Sequence, residues 1–143
     1  MVTSTATATW NGVLKAGNGS FTGKSGAFEG AYTFATRFEG TKGTNPEELI
    51  AAAHAACFSM ALSAGLEKAG TPATSITTAA ACTLEFVDGT PTITKMALTV
   101  RGRVDGIEDA AFQKAAAEAK ENCPVSRLLK AGLAISMEAT LES

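Results

Sequence analysis

The segment from Asn45 to Gly70 constrains this chain most. Asn45 is a helix-capping type, Pro46 suits the first helical position, and Glu48 falls where a capping partner reaches back. Glu47 and Glu48 complement the positive end of a helix dipole. Gly70 can close the helix in a left-handed conformation. The spacing predicts one helix from Pro46 to about Lys68. Its body is small or apolar (Leu49, Ile50, Ala53, Ala56, Cys57, Met60, Ala61, Ala64). So few polar residues remain for a solvent face that a central, mostly buried helix is expected.

The flanking segments alternate instead. Thr5, Thr7 and Thr9 against Ala6, Ala8 and Trp10 read as a half-buried strand. Glycines at 17, 19, 23, 26 and 30 punctuate the following residues, and Phe28, Tyr32 and Phe34 share the parity of one aromatic strand face. Ile76, Ala80, Cys82, Leu84 and Phe86, then Met96, Leu98, Val100 and Val104, predict a long hairpin turning at Asp88-Gly89. A second helix spans about Glu108 to Asn122, with Phe112, Ala115, Ala116 and Ala119 inward. Pro124 forces a break at Cys123, and Val125 to Lys130 forms a short helix. Leu133, Ile135, Met137, Ala139 and Leu141 line a last strand. The order βββ-α-ββ-α-β predicts an α+β fold of antiparallel sheets around a central helix, in one domain over residues 1–143.

A net charge of −2 without a basic stretch argues against nucleic acid. The first ten residues lack a basic start and an apolar run, so no secretory leader is read. The alanine-rich run from Leu49 to Leu66 carries His54 and two serines, which favours a buried helix over a membrane span. A cytoplasmic location is the default expectation. In that reducing compartment three cysteines are buried or reactive thiols rather than structural bridges.

Cys57 and Cys123 each have two readings. Cys57, mid-helix, is a small core residue or a nucleophile. As a thiolate it needs a nearby cation, because the helix dipole fades within the first turn. Arg37 is the candidate cation, or else an ordinary solvated arginine. Cys123 sits at the helix break, where a thiol can move, or is a buried helix-end cysteine. Cys82 falls on an apolar strand face and is assigned to packing. His54, three residues before Cys57, is a packing histidine or the base of a cysteine hydrolase. As the only histidine it leaves a metal site short of its usual ligands, and no cofactor is expected.

The runs Thr36-Arg37-Phe38-Glu39-Gly40, Gly43-Thr44-Asn45-Pro46-Glu47-Glu48-Leu49-Ile50 and Ala52-Ala53-His54-Ala55-Ala56-Cys57-Phe58-Ser59-Met60 resemble the osmotically inducible protein C family. Cys123-Pro124-Val125-Ser126 resembles its second cysteine motif. The subfamily is a sister of the organic hydroperoxide resistance proteins. The resemblance implies a thiol peroxidase of oxidative and osmotic stress defence, reducing organic hydroperoxides as an intertwined homodimer with active sites at the subunit interface. It places the peroxidatic thiol at Cys57, the resolving thiol at Cys123, a thiolate-stabilising arginine at Arg37 and its bidentate carboxylate partner at Glu47. Phe38, Phe58, Met60 and Leu129 are candidate pocket residues. An external dithiol, of lipoyl type by resemblance, would reduce the Cys57–Cys123 disulfide.

Glu47 and Cys57 lie ten residues apart, about 15 Å along one helix axis, so one helix cannot bring both to one guanidinium. Two antiparallel copies could, which predicts that Glu47 and Arg37 act across the dimer interface. The rival readings are a redox sensor using the same disulfide without efficient turnover, the hydrolase, and a purely structural stress protein.

Overall fold

Two three-stranded sheets organise the computed structural model, which describes residues 1–143. The chain divides into two compact units, Met1–Leu49 and Ile50–Ser143.

The first unit is an antiparallel meander of β1 (Ala6–Asn11), β2 (Asn18–Gly23) and β3 (Glu29–Tyr32). Trp10 and Tyr32 reach toward each other across Gly19, their centroids 5.4 Å apart. A side chain at Gly19 would meet Tyr32 at 2.6 Å and Trp10 at 2.7 Å, so the close approach requires glycine there. β1 is less covered than its alternation predicts: only Trp10 is partly shielded. Phe34 does not continue the third strand. It opens a short helix, α1 (Phe34–Phe38), because Thr33 and Thr36 form a reciprocal cap. The Thr36 N–H donates to Thr33 Oγ1 at 3.2 Å, and the Thr33 N–H donates to Thr36 Oγ1 at 2.9 Å.

α2 (Pro46–Lys68) has the predicted bounds, and the division between units falls within it. Asn45 Oδ1 accepts the Glu48 N–H at 2.9 Å, satisfying one orphan donor. Gly70 closes the helix at φ 85°. In the second unit His54, Phe58, Leu62 and Leu66 are buried at a strict four-residue spacing. Ala52, Ala53, Ala56 and Ala64 are exposed, and Met60 is 75% exposed. The expected burial therefore holds for one stripe only; the small-residue face is exposed.

The second sheet has the order β4-β5-β6. β4 (Ala73–Val87) and β5 (Thr90–Val104) form the predicted hairpin, with Asp88 at φ 50° and Gly89 at φ 79°, as a mirror-image two-residue turn requires. A register shift between Thr83 and Leu84 interrupts the ladder, and beyond it Phe86 is exposed rather than inward. α3 (Asp109–Asn122) and α4 (Pro124–Leu129) carry the chain back across the sheet to β6 (Ala134–Glu142). That crossover makes β6 parallel to β5, the one departure from the expected antiparallel pairing. Met96, Leu98, Val100 and Val104 of β5, Phe112 of α3, and Phe58, Leu62 and Leu66 of α2 build one core. A Cβ at Gly102 would lie 2.5 Å from the Phe112 ring, so glycine lets the aromatic lie directly on β5. The fold is α+β, as predicted.

Candidate active site

Arg37 and Glu47 meet in the first unit. Arg37 sits in the last turn of α1 and Glu47 in the first turn of α2. Asn45 ties the two helix ends together. Its Oδ1 caps α2, and its Nδ2 donates to the Thr36 carbonyl at 3.1 Å. The Arg37 Nε and Nη2 both donate to Glu47 Oε1, at 3.1 and 2.8 Å. The expected bidentate pair is thus a two-pronged grip on one carboxylate oxygen. The Glu47 side chain is 8% exposed and that of Arg37 is 36% exposed, so a sequestered carboxylate holds a guanidinium that still faces outward. The Phe38 ring lies beneath it, 5.3 Å from Cζ.

Beside this pair is a cavity of about 210 Å³ lined by Trp10, Leu14, Tyr32, Thr33, Phe34, Arg37 and Phe38. Its walls are mostly aromatic, with a charged edge. Of the predicted pocket residues it contains Phe38 alone. Phe58 is fully buried core, Met60 projects outward, and Leu129 is half-buried against the second unit's core. Phe38 belongs to the first unit and the other three to the second. Sequence reasoning missed Trp10, Leu14, Tyr32 and Phe34 as lining. Trp10 and Tyr32, the only tryptophan and tyrosine, were the available signal.

The second unit brings the two predicted thiols together. Pro124 opens α4 and leaves Cys123 at its cap with φ −55° and ψ 124°. There Cys123 Sγ lies 3.1 Å from Cys57 Sγ, across 66 residues of sequence, within hydrogen-bond reach. Both remain thiols. Cys123 has no exposed surface, whereas Cys57 is only partly covered, so a reagent from solvent reaches Cys57 first.

Their ionisation is skewed. Burial pushes the Cys57 thiol up; a hydrogen bond from the Val125 backbone opposes this, and the neighbouring Cys123 adds to it. Burial also pushes Cys123 up, but hydrogen bonds from the Ser126 backbone, the Cys57 thiol, the Ser126 hydroxyl and the Val125 backbone reverse the direction. No cation figures among the groups acting on Cys57. The second unit does not by itself supply the positive charge that a Cys57 thiolate needs.

His54 is fully buried, and its Nε2 lies 2.7 Å from Ser126 Oγ. Its Nδ1 has no hydrogen-bond partner. Burial lowers its pKa from the ordinary 6.5. Its ring is engaged with Ser126 through Nε2. Cys82 pairs with Met96 across the hairpin and packs against the core.

Residues 39–138 match the family described as OsmC-like protein. A protein named peroxiredoxin OsmC from Escherichia coli (strain K12) is 49% identical over 130 residues, covering 90% of this chain and 91% of that protein. The same figures hold for a peroxiredoxin OsmC from Shigella flexneri. Among solved structures, the organic hydroperoxide resistance protein OhrB of Bacillus subtilis superposes with a TM-score of 0.72 at 24% identity, over 95% of this chain and 98% of that one. An OsmC-like protein from Mycoplasma pneumoniae gives 0.75 at 16% identity, over 99% of both chains. These two likenesses establish the shared fold.

Proposed function

Because the chain belongs to the OsmC-like protein family, we propose that it is a thiol-dependent peroxidase that reduces organic hydroperoxides to alcohols. The observation that carries this reading is the 3.1 Å approach of an accessible and a buried thiol. The Cys57 thiolate attacks the terminal peroxide oxygen. The O–O bond breaks, the alcohol leaves after taking a proton, and Cys57 becomes a sulfenic acid. Cys123 then attacks the Cys57 sulfur, water departs, and a disulfide joins the two. An external dithiol, of lipoyl type, restores both thiols by exchange.

The missing cation points to a dimer. Arg37 is gripped at the first turn of α2, while Cys57 lies about 15 Å further along that helix. In an intertwined homodimer with the small-residue faces of α2 packed antiparallel, Arg37 and Glu47 of one chain approach Cys57 of the other. The guanidinium lowers the Cys57 pKa there, and the aromatic cavity beside it receives the alkyl group of the substrate. All 143 residues act as one peroxidase domain in the cytoplasm, in defence against oxidative and osmotic stress.

The test is stopped-flow oxidation of the reduced protein with a panel of alkyl hydroperoxides and hydrogen peroxide, followed by mass mapping. Turnover beyond one peroxide per chain with a dithiol, and a covalent link between positions 57 and 123, are expected. Cys57→Ser should abolish turnover. Cys123→Ser should stop at the sulfenic or over-oxidised acid. A single oxidation event without cycling would mark a redox sensor, and no 57–123 link would refute the cycle.

A further inference from the structure

The proposed cycle leaves one buried polar pair unused. His54 Nε2 and Ser126 Oγ lie 2.7 Å apart, across 72 residues of sequence. His54 has no exposed surface and Ser126 is 1% exposed. The imidazole keeps one nitrogen, Nδ1, without a partner. With the proton on Nδ1, a buried N–H would have no acceptor. With the proton on Nε2, that N–H donates to Ser126 Oγ and only a lone pair is left bare, which is the milder defect. Two apolar side chains would fill the same space without any defect. What the polar pair adds is direction: a hydrogen bond fixes a distance and an angle, and dispersion contacts do not.

The pair lies beside the two thiols. His54 precedes Cys57 by three residues on α2, and Ser126 follows Cys123 by three at the start of α4. Residues three apart share a helix face, about 4.5 Å apart along the axis. α2 and α4 therefore meet at two points one turn apart, His54 with Ser126 at 2.7 Å and Cys57 with Cys123 at 3.1 Å. α4 has six residues, too few to hold its own position. One end is tied to α3, where the Cys123 N–H donates to the Ala119 carbonyl at 2.8 Å. Val125 and Leu129 pack on the core, and Ser126 supplies the directed contact.

We propose that the His54–Ser126 hydrogen bond is a clasp that holds α4 against α2 and so keeps Cys123 within reach of Cys57, both members acting as positioning residues for disulfide closure. This rests on Cys123 being the thiol that attacks the Cys57 sulfenic acid. In that step the Cys123–Cys57 bond forms and the Cys57 S–O bond breaks. The Cys123 proton joins the departing hydroxide to make water, and no external oxidant or reductant enters. A disulfide needs a sulfur separation of about 2.05 Å, so closure from 3.1 Å asks for about one ångström of travel. Without the clasp α4 turns about its tie to α3, and the travel lengthens. Misplacement by about one ångström costs up to about a hundredfold in rate.

Thiol–disulfide exchange tests this without peroxide. In Cys82→Ala protein, Cys57 and Cys123 are the two remaining thiols. On equilibration with oxidised and reduced dithiothreitol, two electrons and two protons pass from the protein thiols to the reagent. The equilibrium constant reports how well the fold holds the two sulfurs together. The double variant His54→Leu, Ser126→Ala removes both polar partners at once, which should leave stability nearly unchanged by urea melts. Its exchange constant should nevertheless fall about tenfold. After oxidation by an alkyl hydroperoxide, its Cys57 sulfenic acid should form at the unmutated rate and close about tenfold more slowly. Ser126→Ala alone, the smallest change, should show the same losses. His54→Gln, which can still donate an N–H to Ser126 Oγ, should keep both quantities within about twofold. Unmutated exchange and closure in the double variant and in Ser126→Ala would overturn the proposal. So would a loss in His54→Gln as large as that in the double variant. Absence of hydroperoxide turnover in protein that forms the 57–123 link by exchange would refute the peroxidase reading alone.

Discussion

Acidification should weaken this protein through its single histidine. His54 is fully buried with one nitrogen unpartnered, and burial holds its pKa below the ordinary 6.5. In the unfolded chain the imidazole gains a proton as pH falls through 6.5, while in the folded chain it does so only at lower pH. The stability contributed by the neutral ring is complete above 6.5 and is lost as pH falls below it toward the depressed folded value. A full proton difference is worth about 1.4 kcal/mol per pH unit. Between pH 7.5 and 5.5 the curvature around 6.5 caps the loss at about 1.4 kcal/mol. With a urea m-value of about 2 kcal/mol/M, the midpoint should fall by no more than about 0.7 M on this account. Carboxylates titrate lower and contribute to the same curve, so the measurement is a difference. Urea melts at pH 7.5, 6.5 and 5.5 are taken for the unmutated protein and for His54→Gln, at one protein concentration. His54→Gln removes the proton site and keeps a donor for Ser126. The variant's midpoint should fall less between pH 7.5 and 5.5, by a difference of at most about 0.7 M. Parallel curves would mean that His54 titrates normally in the folded chain and that its burial carries no electrostatic cost.

Two further outcomes follow from the first unit and the core. Glu47→Gln removes the charge that grips Arg37, so peroxide turnover should drop at least tenfold and stability by about 1 kcal/mol, measured by steady-state kinetics and urea melts. Gly102→Ala places a methyl group against the Phe112 ring and should cost about 1–3 kcal/mol of stability, with the loss offset in part by Phe112→Leu in the double variant.

What the sequence revealed was whatever is encoded locally. The ends of α2 are written in Asn45-Pro46 and Gly70, the hairpin turn in Asp88-Gly89, and the break at Cys123 in Pro124, and each lies where it was read. α1 escaped because five residues are too few to show a helical period, and because its capping box closes with Thr36 rather than a Glu or Gln. Phe86 was read inward because alternation assumes an unbroken ladder, and a bulge intervenes. The parallel β6 depends on a crossover that periodicity does not encode. At the site, Arg37, Cys57 and Cys123 were candidates from residue type, but their roles and that of Glu47 were legible only as a family resemblance. The Cys57–Cys123 approach and the His54–Ser126 contact join residues 66 and 72 positions apart, beyond the reach of any local pattern.

The junction at Cys123 has a mechanical consequence. Its amide closes α3 onto Ala119 at 2.8 Å, and its carbonyl opens α4 by accepting from Arg127 at 2.9 Å. One residue is thus the last rung of one rod and the first rung of the next. A pull on its sulfur therefore loads the last turn of α3 and the first turn of α4 together.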